Sequence, residues 1–446
     1  MFVLVTMACL TTFAKQAHAQ TVTFEQIIEN PDNAALNLRF AKQEIAKGRL
    51  QQAASALERL LLNNPNLDTV RFLYGVLLLR MDDLEGAKRE FSLLEGRNLP
   101  SNLEADRRRY MGQINHASAP VRVSGQVVLG GRVDSNPGLV SDRIANATVE
   151  NGIIVGPDLL NPIDGMNDGS DVGFVSRSRL RIEGDIDRAP GSTWFVQLDG
   201  NFQEFVNVDR SDAFTGNAKI GVNLTNDLLA LTPYFKAGQT DLQSDAFNRR
   251  WGAGVDINYR FSPVLKFFAN VEYLTEDYQN TPSSITNEQR DGVLISGYLG
   301  ASYRVNEGQT VSLSVFAADK EADVNPGFSY EQVGIAFGAV QLLGKGAYTT
   351  LGMRYSEVEF DQPDGIATSP FNLIQRSDER FYARLATGAP LKTVSEALQL
   401  ENPLPNFLED VVVELGVSFS TLGSTSNLVE YDNVSGEILF KKKFNF

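Results

Sequence analysis

Cysteine is nearly absent from this 446-residue chain: there is one, Cys9, and only two histidines, His18 and His116. A single cysteine excludes a disulfide framework and a cysteine-based metal site, and no metal ligand set is expected. Cations are also scarce. Lys and Arg number 40 against 55 Asp and Glu, a net charge of -15. That balance argues against a nucleic-acid partner and against charge-driven binding to anionic membranes. Beyond the first twenty residues no apolar run reaches the length of a helical membrane span, roughly 18 residues or more. The absence does not touch a β-barrel, whose signal is alternation and is weak in any one segment. No Gly-x-Ser-x-Gly elbow occurs, and the one histidine past residue 19, His116, falls on a helix end outside the alternating strand segments, so no catalytic residues, no cofactor and no enzyme are expected.

Residues Phe2 to Ala14 are mostly apolar, and Ala17-His18-Ala19 precedes Gln20. This pattern predicts a secretory signal at 1–19, although a basic leading segment is missing. Thr6-Met7-Ala8-Cys9 fits a lipoprotein box poorly.

Residues 34–117 read as helical and repeat at a 34-residue spacing. Ala41 recurs as Gly75, Ala53 as Ala87, Leu57 as Phe91 and Leu60 as Leu94, with Pro65 and Pro100 closing the units. Small residues at fixed positions let paired helices approach, and the large apolar ones fill the seam. The period is that of the tetratricopeptide repeat, whose arrays present a surface to a peptide or protein; a generic helical hairpin domain is the plainer reading. A periplasmic helical domain is expected over 20–119. Asn37, Phe40, Arg71 and Tyr74 are its candidate partner-binding residues.

From Val121 the period changes to two. Trp251, Ala253, Val255, Ile257, Tyr259 and Phe261 alternate with Gly252, Gly254, Asp256, Asn258 and Arg260. Successive strand residues face opposite sides of a sheet, so such segments carry one apolar and one polar face. Fourteen segments qualify: 121–133, 170–186, 192–206, 213–224, 229–240, 247–259, 264–275, 290–304, 309–319, 328–340, 346–358, 377–388, 409–421 and 434–446. The count is even, as single-chain bacterial barrels require. The expected fold is α plus membrane β, with a short tetratricopeptide-like helical domain followed by a 14-stranded antiparallel transmembrane barrel over 120–446. Long connections alternate with short ones, except that 389–408 should be a short turn and carries Pro390, Pro403 and Pro405. Either a functional loop hangs there or the count is off by a strand pair. A soluble sandwich is the competing architecture.

In the last segment Ile438, Phe440, Phe444 and Phe446 share a face, and Glu437, Lys441, Lys443 and Asn445 the other; Lys442 and Leu439 break the two rows. Phe440, Phe444 and Phe446 resemble the signal that outer-membrane barrels present to the barrel assembly machinery. Arg177, Arg179 and Arg181 alternate with apolar residues, which places three guanidinium groups toward the lumen. Candidate lumen partners are Asp199, Glu272 and Glu414, with Lys266, Arg354, Arg384, Lys441 and Lys443 adding positive charge. A salt-bridged, water-filled interior is one reading, and a charged guide for a secreted chain or anionic polymer is the other. Asp164, Asn167, Asp168 and Asp171 make an acidic outer loop without calcium-loop spacing.

Two junctions carry a family resemblance. Arg132-Val133-Asp134-Ser135-Asn136 ends the first segment; Ser424-Thr425-Ser426-Asn427 and Tyr431-Asp432-Asn433 lead into the last. Helical repeats, fourteen strands and these Ser-Asn junctions together resemble the surface lipoprotein assembly modulators (Slam-like proteins). The resemblance implies an outer-membrane protein of Gram-negative bacteria for protein secretion, with outer-membrane lipid around the barrel and a client protein, a lipoprotein or related substrate, as its partner. It implies that the helical domain engages the client in the periplasm and that the barrel assists its translocation to the surface. The alternatives are an exopolysaccharide-export porin, which similar repeats would scaffold, and a passive porin or adhesin.

Overall fold

The computed structural model describes residues 22–30, 33–139, 148–150, 153–155, 169–186, 191–281, 286–363, 375–399, 405–425 and 429–445. The chain divides into two compact units, one up to Ala119 and one from Pro120.

The first unit is helical: α1 (Phe24–Glu29), α2 (Ala34–Ala46), α3 (Leu50–Asn63), α4 (Asp68–Arg80), α5 (Leu84–Ser92) and α6 (Ser101–Ala117). α2–α3 and α4–α5 are two hairpins in the same 34-residue phase as the sequence repeat. Their turns use a left-handed residue at equivalent positions, Gly48 (φ 74°) and Asp82 (φ 64°). Ala41, Ala53 and Ala87 are fully buried, with Leu57, Leu60, Phe91 and Leu94 filling the seams. At Gly75 a Cβ would meet the Phe91 ring at 3.0 Å, so the small residue there is what admits the aromatic. Tyr110 of α6 stacks on Phe91 with centroids 5.6 Å apart, closing that end of the core. α1 starts from a Thr23–Gln26 capping box.

The second unit is a closed antiparallel barrel. Its strands are β1 (Val121–Asp134), β2 (Asp171–Asp185), β3 (Thr193–Phe205), β4 (Ala213–Thr225), β5 (Leu229–Leu242), β6 (Asp245–Arg260), β7 (Leu265–Tyr278), β8 (Gly292–Asn306), β9 (Gln309–Ala322), β10 (Tyr330–Gly344), β11 (Ala347–Phe360), β12 (Ser377–Pro390), β13 (Val412–Ser424) and β14 (Tyr431–Asn445). A separate hairpin, Thr148–Glu150 with Ile153–Val155, lies in the β1–β2 connection. Each strand pairs with its chain neighbours, and β1 pairs with β14 from Ser124↔Asn445 to Asp134↔Ser435, which leaves no open edge. The outward positions carry Phe235 (70% exposed), Leu313, Val333 (64%), Leu385, Val417 and Phe440. So much apolar surface facing water would oppose folding at about 25 cal/mol per Å²; a hydrocarbon surround removes that penalty, as it does for membrane barrels.

Most short turns lie at one end, among them Asn226-Asp227-Leu228, Glu307-Gly308 and Lys345-Gly346, and the chain enters β1 at that end from Pro120; the two-residue turn Gln243-Ser244 lies at the other. The strand list from the sequence matches within a few residues. The exception in the loop pattern is real but is not a miscount. The β12–β13 connection holds α7 (Leu391–Ala397) and a 3-10 turn at Asn406–Leu408; Pro403 lies outside the described residues. Thr393 Oγ1 donates to the Lys345 carbonyl at 2.7 Å, and Lys442 Nζ donates to the Phe407 carbonyl at 2.6 Å and pairs with Asp410. The lysine that breaks the apolar row of β14 is thus consumed by pinning this connection.

Candidate functional site: the barrel lumen

Register decides which residues face the lumen. Arg177, Arg179 and Arg181 of β2 lie opposite Asn201, Asp199 and Gln197 of β3 on the inner face. Arg179 Nε donates to Asp199 Oδ1 at 2.6 Å, and Gln197 Nε2 to Asp199 Oδ2 at 2.7 Å. Arg181 reaches Glu183 at 2.9 Å and Gln197 at 3.2 Å, with its guanidinium 4.0 Å from the Phe195 ring centroid. Such an arrangement joins charge pairing with a cation–π contact.

Three carboxylates serve several cations each. Glu437 contacts Arg177 (3.1 Å), Arg384 (3.1 Å) and Arg132 (3.6 Å). Glu414 contacts Lys441 (2.6 Å) and Arg384 (2.8 Å), and accepts from Tyr348 Oη at 2.6 Å. Glu272 contacts Lys236 (3.0 Å) and Lys219 (3.7 Å), and accepts from Tyr234 Oη at 2.5 Å. Asp256 accepts from Asn270 at 2.7 Å. Lys219, Lys236, Arg250 and the hub role of Glu437 escaped the sequence reading. Their inner-face alternation was visible, but the strand-to-strand register that joins them was not. Leu439, the break in the polar row, also faces inward and is fully buried with Val128 and Val175. Lys266 stands exposed on the inner face toward the short-turn end, opposite Ser302.

The wall formed by β8 to β11 differs. Its inner positions include Ser302, Ser312, Ser314, Gly334, Ala336, Gly338 and Gly352. Arg354 lies here with its guanidinium 3.9 Å from the Phe316 ring centroid. A cavity of about 470 Å³ runs along this wall, lined by Ser302, Ser312, Gly338, Val340 and Thr350 among others.

The two junction motifs meet at the barrel seam. Asn433 Oδ1 accepts from Ser135 Oγ (3.1 Å) and from the Asn136 amide (3.0 Å), while its Nδ2 donates to Asp134 Oδ1 at 2.8 Å. Ser135 Oγ accepts from the Val434 amide at 2.8 Å. Arg132 donates to Asp134 at 2.9 Å. Asp134, Asn136 and Asn433 are buried. Residues nearly 300 positions apart are therefore clasped where the first and last strands close. Ser426 and Asn427 lie outside the described residues, as do Asp164, Asn167 and Asp168. Asp171 accepts from the Asn207 and Val208 amides at 2.7 and 2.9 Å, tying β2 to the β3–β4 connection.

The four helical candidates need correction as an exposed surface. Asn37 is fully buried, its Nδ2 donating to the Asn33 carbonyl at 3.0 Å. Phe40 is buried with Val22, Ile27 and Ala56. Arg71 is held by Glu90 at 2.6 Å and the Pro65 carbonyl at 2.8 Å. Tyr74 is buried, and desolvation, reinforced by Glu58 and Glu90, raises its pKa. The cause for Asn37 and Phe40 is α1 and the residues before it: Val22 exchanges two hydrogen bonds with Gln43, at 3.0 and 3.1 Å, and covers that face of α2. Of the aromatic signal, Phe440 is exposed on the outer face and Phe444 lies over Gly125; Phe446 is outside the described residues.

Residues 192–386 match the family model of the surface lipoprotein assembly modifier. The match spans β3 to most of β12, and this is the family that the junction motifs resemble. No curated protein matches the chain. Solved structures similar to it are outer-membrane barrels. OmpT of Vibrio cholerae has 9% identity and a TM-score of 0.38, covering 73% of this chain and 98% of that one. The toluene transporter TodX of P. putida has 10% identity and a TM-score of 0.36, covering 75% and 95%. OccAB3 of Acinetobacter baumannii has 12% identity and a TM-score of 0.35, covering 73% and 99%. Likenesses this distant carry no argument about ligand or mechanism. The chain resembles surface lipoprotein assembly modifiers in its barrel and is an outer-membrane protein.

Proposed function

We propose that this protein assists passage of a surface lipoprotein, or a related substrate protein, across the outer membrane, without catalysing a reaction. The observation that carries the reading is the family match over 192–386, which falls on the strands forming most of the lumen. Two 34-residue helical hairpins, of tetratricopeptide type in this reading, precede the barrel and engage the client in the periplasm. A binding unit tethered to a pore holds its client at high effective concentration near the opening. Client contact then falls on helical side chains that the packing leaves outside, not on Asn37, Phe40, Arg71 or Tyr74. A signal at 1–19 delivers the chain, and the aromatic face of β14, Phe440 and Phe444 with Phe446, engages the assembly machinery.

The test is protease shaving of intact cells, with mass spectrometry, in a deletion strain. A lipoprotein that becomes shielded on deletion, and is shaved again when the gene is restored, supports the reading and names the client. Unchanged lipoprotein exposure overturns it. A fall in capsule or matrix polysaccharide instead makes the barrel a polymer-export porin.

A further inference from the structure

A cavity of about 610 Å³ lies against the inner face of β1 to β6 and β14. Six cations line it, Arg177, Arg179, Lys219, Lys236, Arg250 and Lys441, against the single carboxylate of Asp199. This is unexpected in a chain whose net charge is -15. The carboxylates behind the lining do not cancel it. Glu272, Glu414 and Glu437 are divided among Lys219, Lys236, Lys441, Arg177, Arg384 and Arg132, and the last of these also holds Asp134. Arg250 forms no ion pair among the described residues; its Nη2 donates weakly to Thr240 at 3.4 Å, and its Nε, shielded from solvent, has no hydrogen-bond partner. Arg179 keeps its side chain 62% exposed while holding Asp199. Guanidinium donors that are left over, beside exposed ones, make a wall with unspent capacity for anionic oxygen.

We propose that this wall binds carboxylate side chains of an extended acidic peptide segment; that the peptide belongs to the exported client rests on the function proposed above. Spacing favours a peptide. Arg177, Arg179 and Arg181 stand two residues apart on one strand, a step of about 6.6 Å. Alternate side chains of an extended peptide repeat at the same step, so carboxylates at every second position meet one guanidinium each. The low-dielectric wall strengthens these contacts relative to bulk water, and salt weakens them.

The experiment uses the purified full-length chain in detergent. The probes are a fluorescent peptide with Glu at alternate positions, its Gln counterpart, an oligolysine peptide and inorganic tripolyphosphate. The variants are R177Q/R179Q/R250Q and the charge-preserving R177K/R179K/R250K, each checked for a folded barrel by circular dichroism and heat-modifiable migration. Selective binding of the Glu peptide, weakened tenfold or more by the Gln variant, weakened by high salt and largely kept by the Lys variant, is the expected result. Binding of tripolyphosphate without the Glu peptide overturns the peptide assignment. Equal binding of the Glu and Gln peptides, or undiminished binding by a folded Gln variant, overturns the site. The in vitro readout is independent of export. Unchanged shaving of surface lipoproteins in the deletion strain with intact Glu-peptide binding removes the proposed function and leaves the site standing.

Discussion

The two walls of the lumen are made by one rule and end in opposite chemistry. Both alternate outward apolar with inward residues. From β14 and β1 round to β7 many inward positions are charged, and Glu272 and Glu437 are each shared among several cations. From β8 to β11 many are Ser, Gly and Ala, which carry no charge and leave space, with Arg354 and Phe316 set among them. At Gly334 a Cβ would meet the Phe316 ring at 2.2 Å and the Tyr355 carbonyl at 2.5 Å, so the small residue there is what lets Phe316 lie under Arg354. One wall is therefore held by electrostatics that a single substitution can unbalance, and the other by fit.

The comparison breaks most sharply at Glu437. Glu437→Gln leaves Arg132, Arg177 and Arg384 around a neutral amide. Losing one partner of a buried ion pair costs about 3–5 kcal/mol, so thermal unfolding of the detergent-solubilised barrel should shift down strongly. The matching change on the other wall, Ser312→Ala, should move it by no more than about 0.5 kcal/mol. Next is the seam. Asn433→Ala removes the acceptor of Ser135 and Asn136 and the donor to Asp134. Stranding those buried groups costs about 1–3 kcal/mol, read as faster hydrogen exchange in β1 and β14 before the other strands. Overpacking the small wall by Gly334→Val should cost about 1–3 kcal/mol and displace Phe316, seen as earlier unfolding while Arg177-side contacts persist.

The smallest effect lies in the helical unit. Lys47 donates to Glu44 at 2.8 Å, and that hydrogen bond holds the Glu44 pKa below its ordinary value. A depressed folded-state carboxyl contributes stability that is present above its unfolded pKa and is lost as pH falls through the folded one. Hydrogen exchange of α2 and α3 in the full chain should therefore quicken below about pH 4.5, and Glu44→Gln should flatten that dependence.

Much of the barrel was legible because period-two alternation is local: it marks the strands and the inward side of Arg177, Arg179, Arg181, Glu272, Arg384 and Glu414 without knowledge of the partner strand. What depends on register was not. Nothing near Asn433 announces that it will grip Ser135, and nothing near Glu437 announces three arginines. The helical surface misled for a similar reason. Asn37 and Phe40 sit at positions that a repeat could turn outward, yet the six-residue α1, signalled only by its Thr23 cap, lies across them. The 34-residue repeat itself was readable because its small residues and seam residues recur in place.

The most direct test puts a photoreactive side chain at Asn201, inside the cationic wall, at Ser312 on the small-residue wall, and at Leu313 on the lipid face. If the client passes along the cationic wall, irradiation of cells displaying it gives a cross-link to the lipoprotein from position 201, a weaker one from 312 and none from 313. Cross-links from 313 alone, or none from 201 while the lipoprotein still reaches the surface, would contradict passage through this lumen.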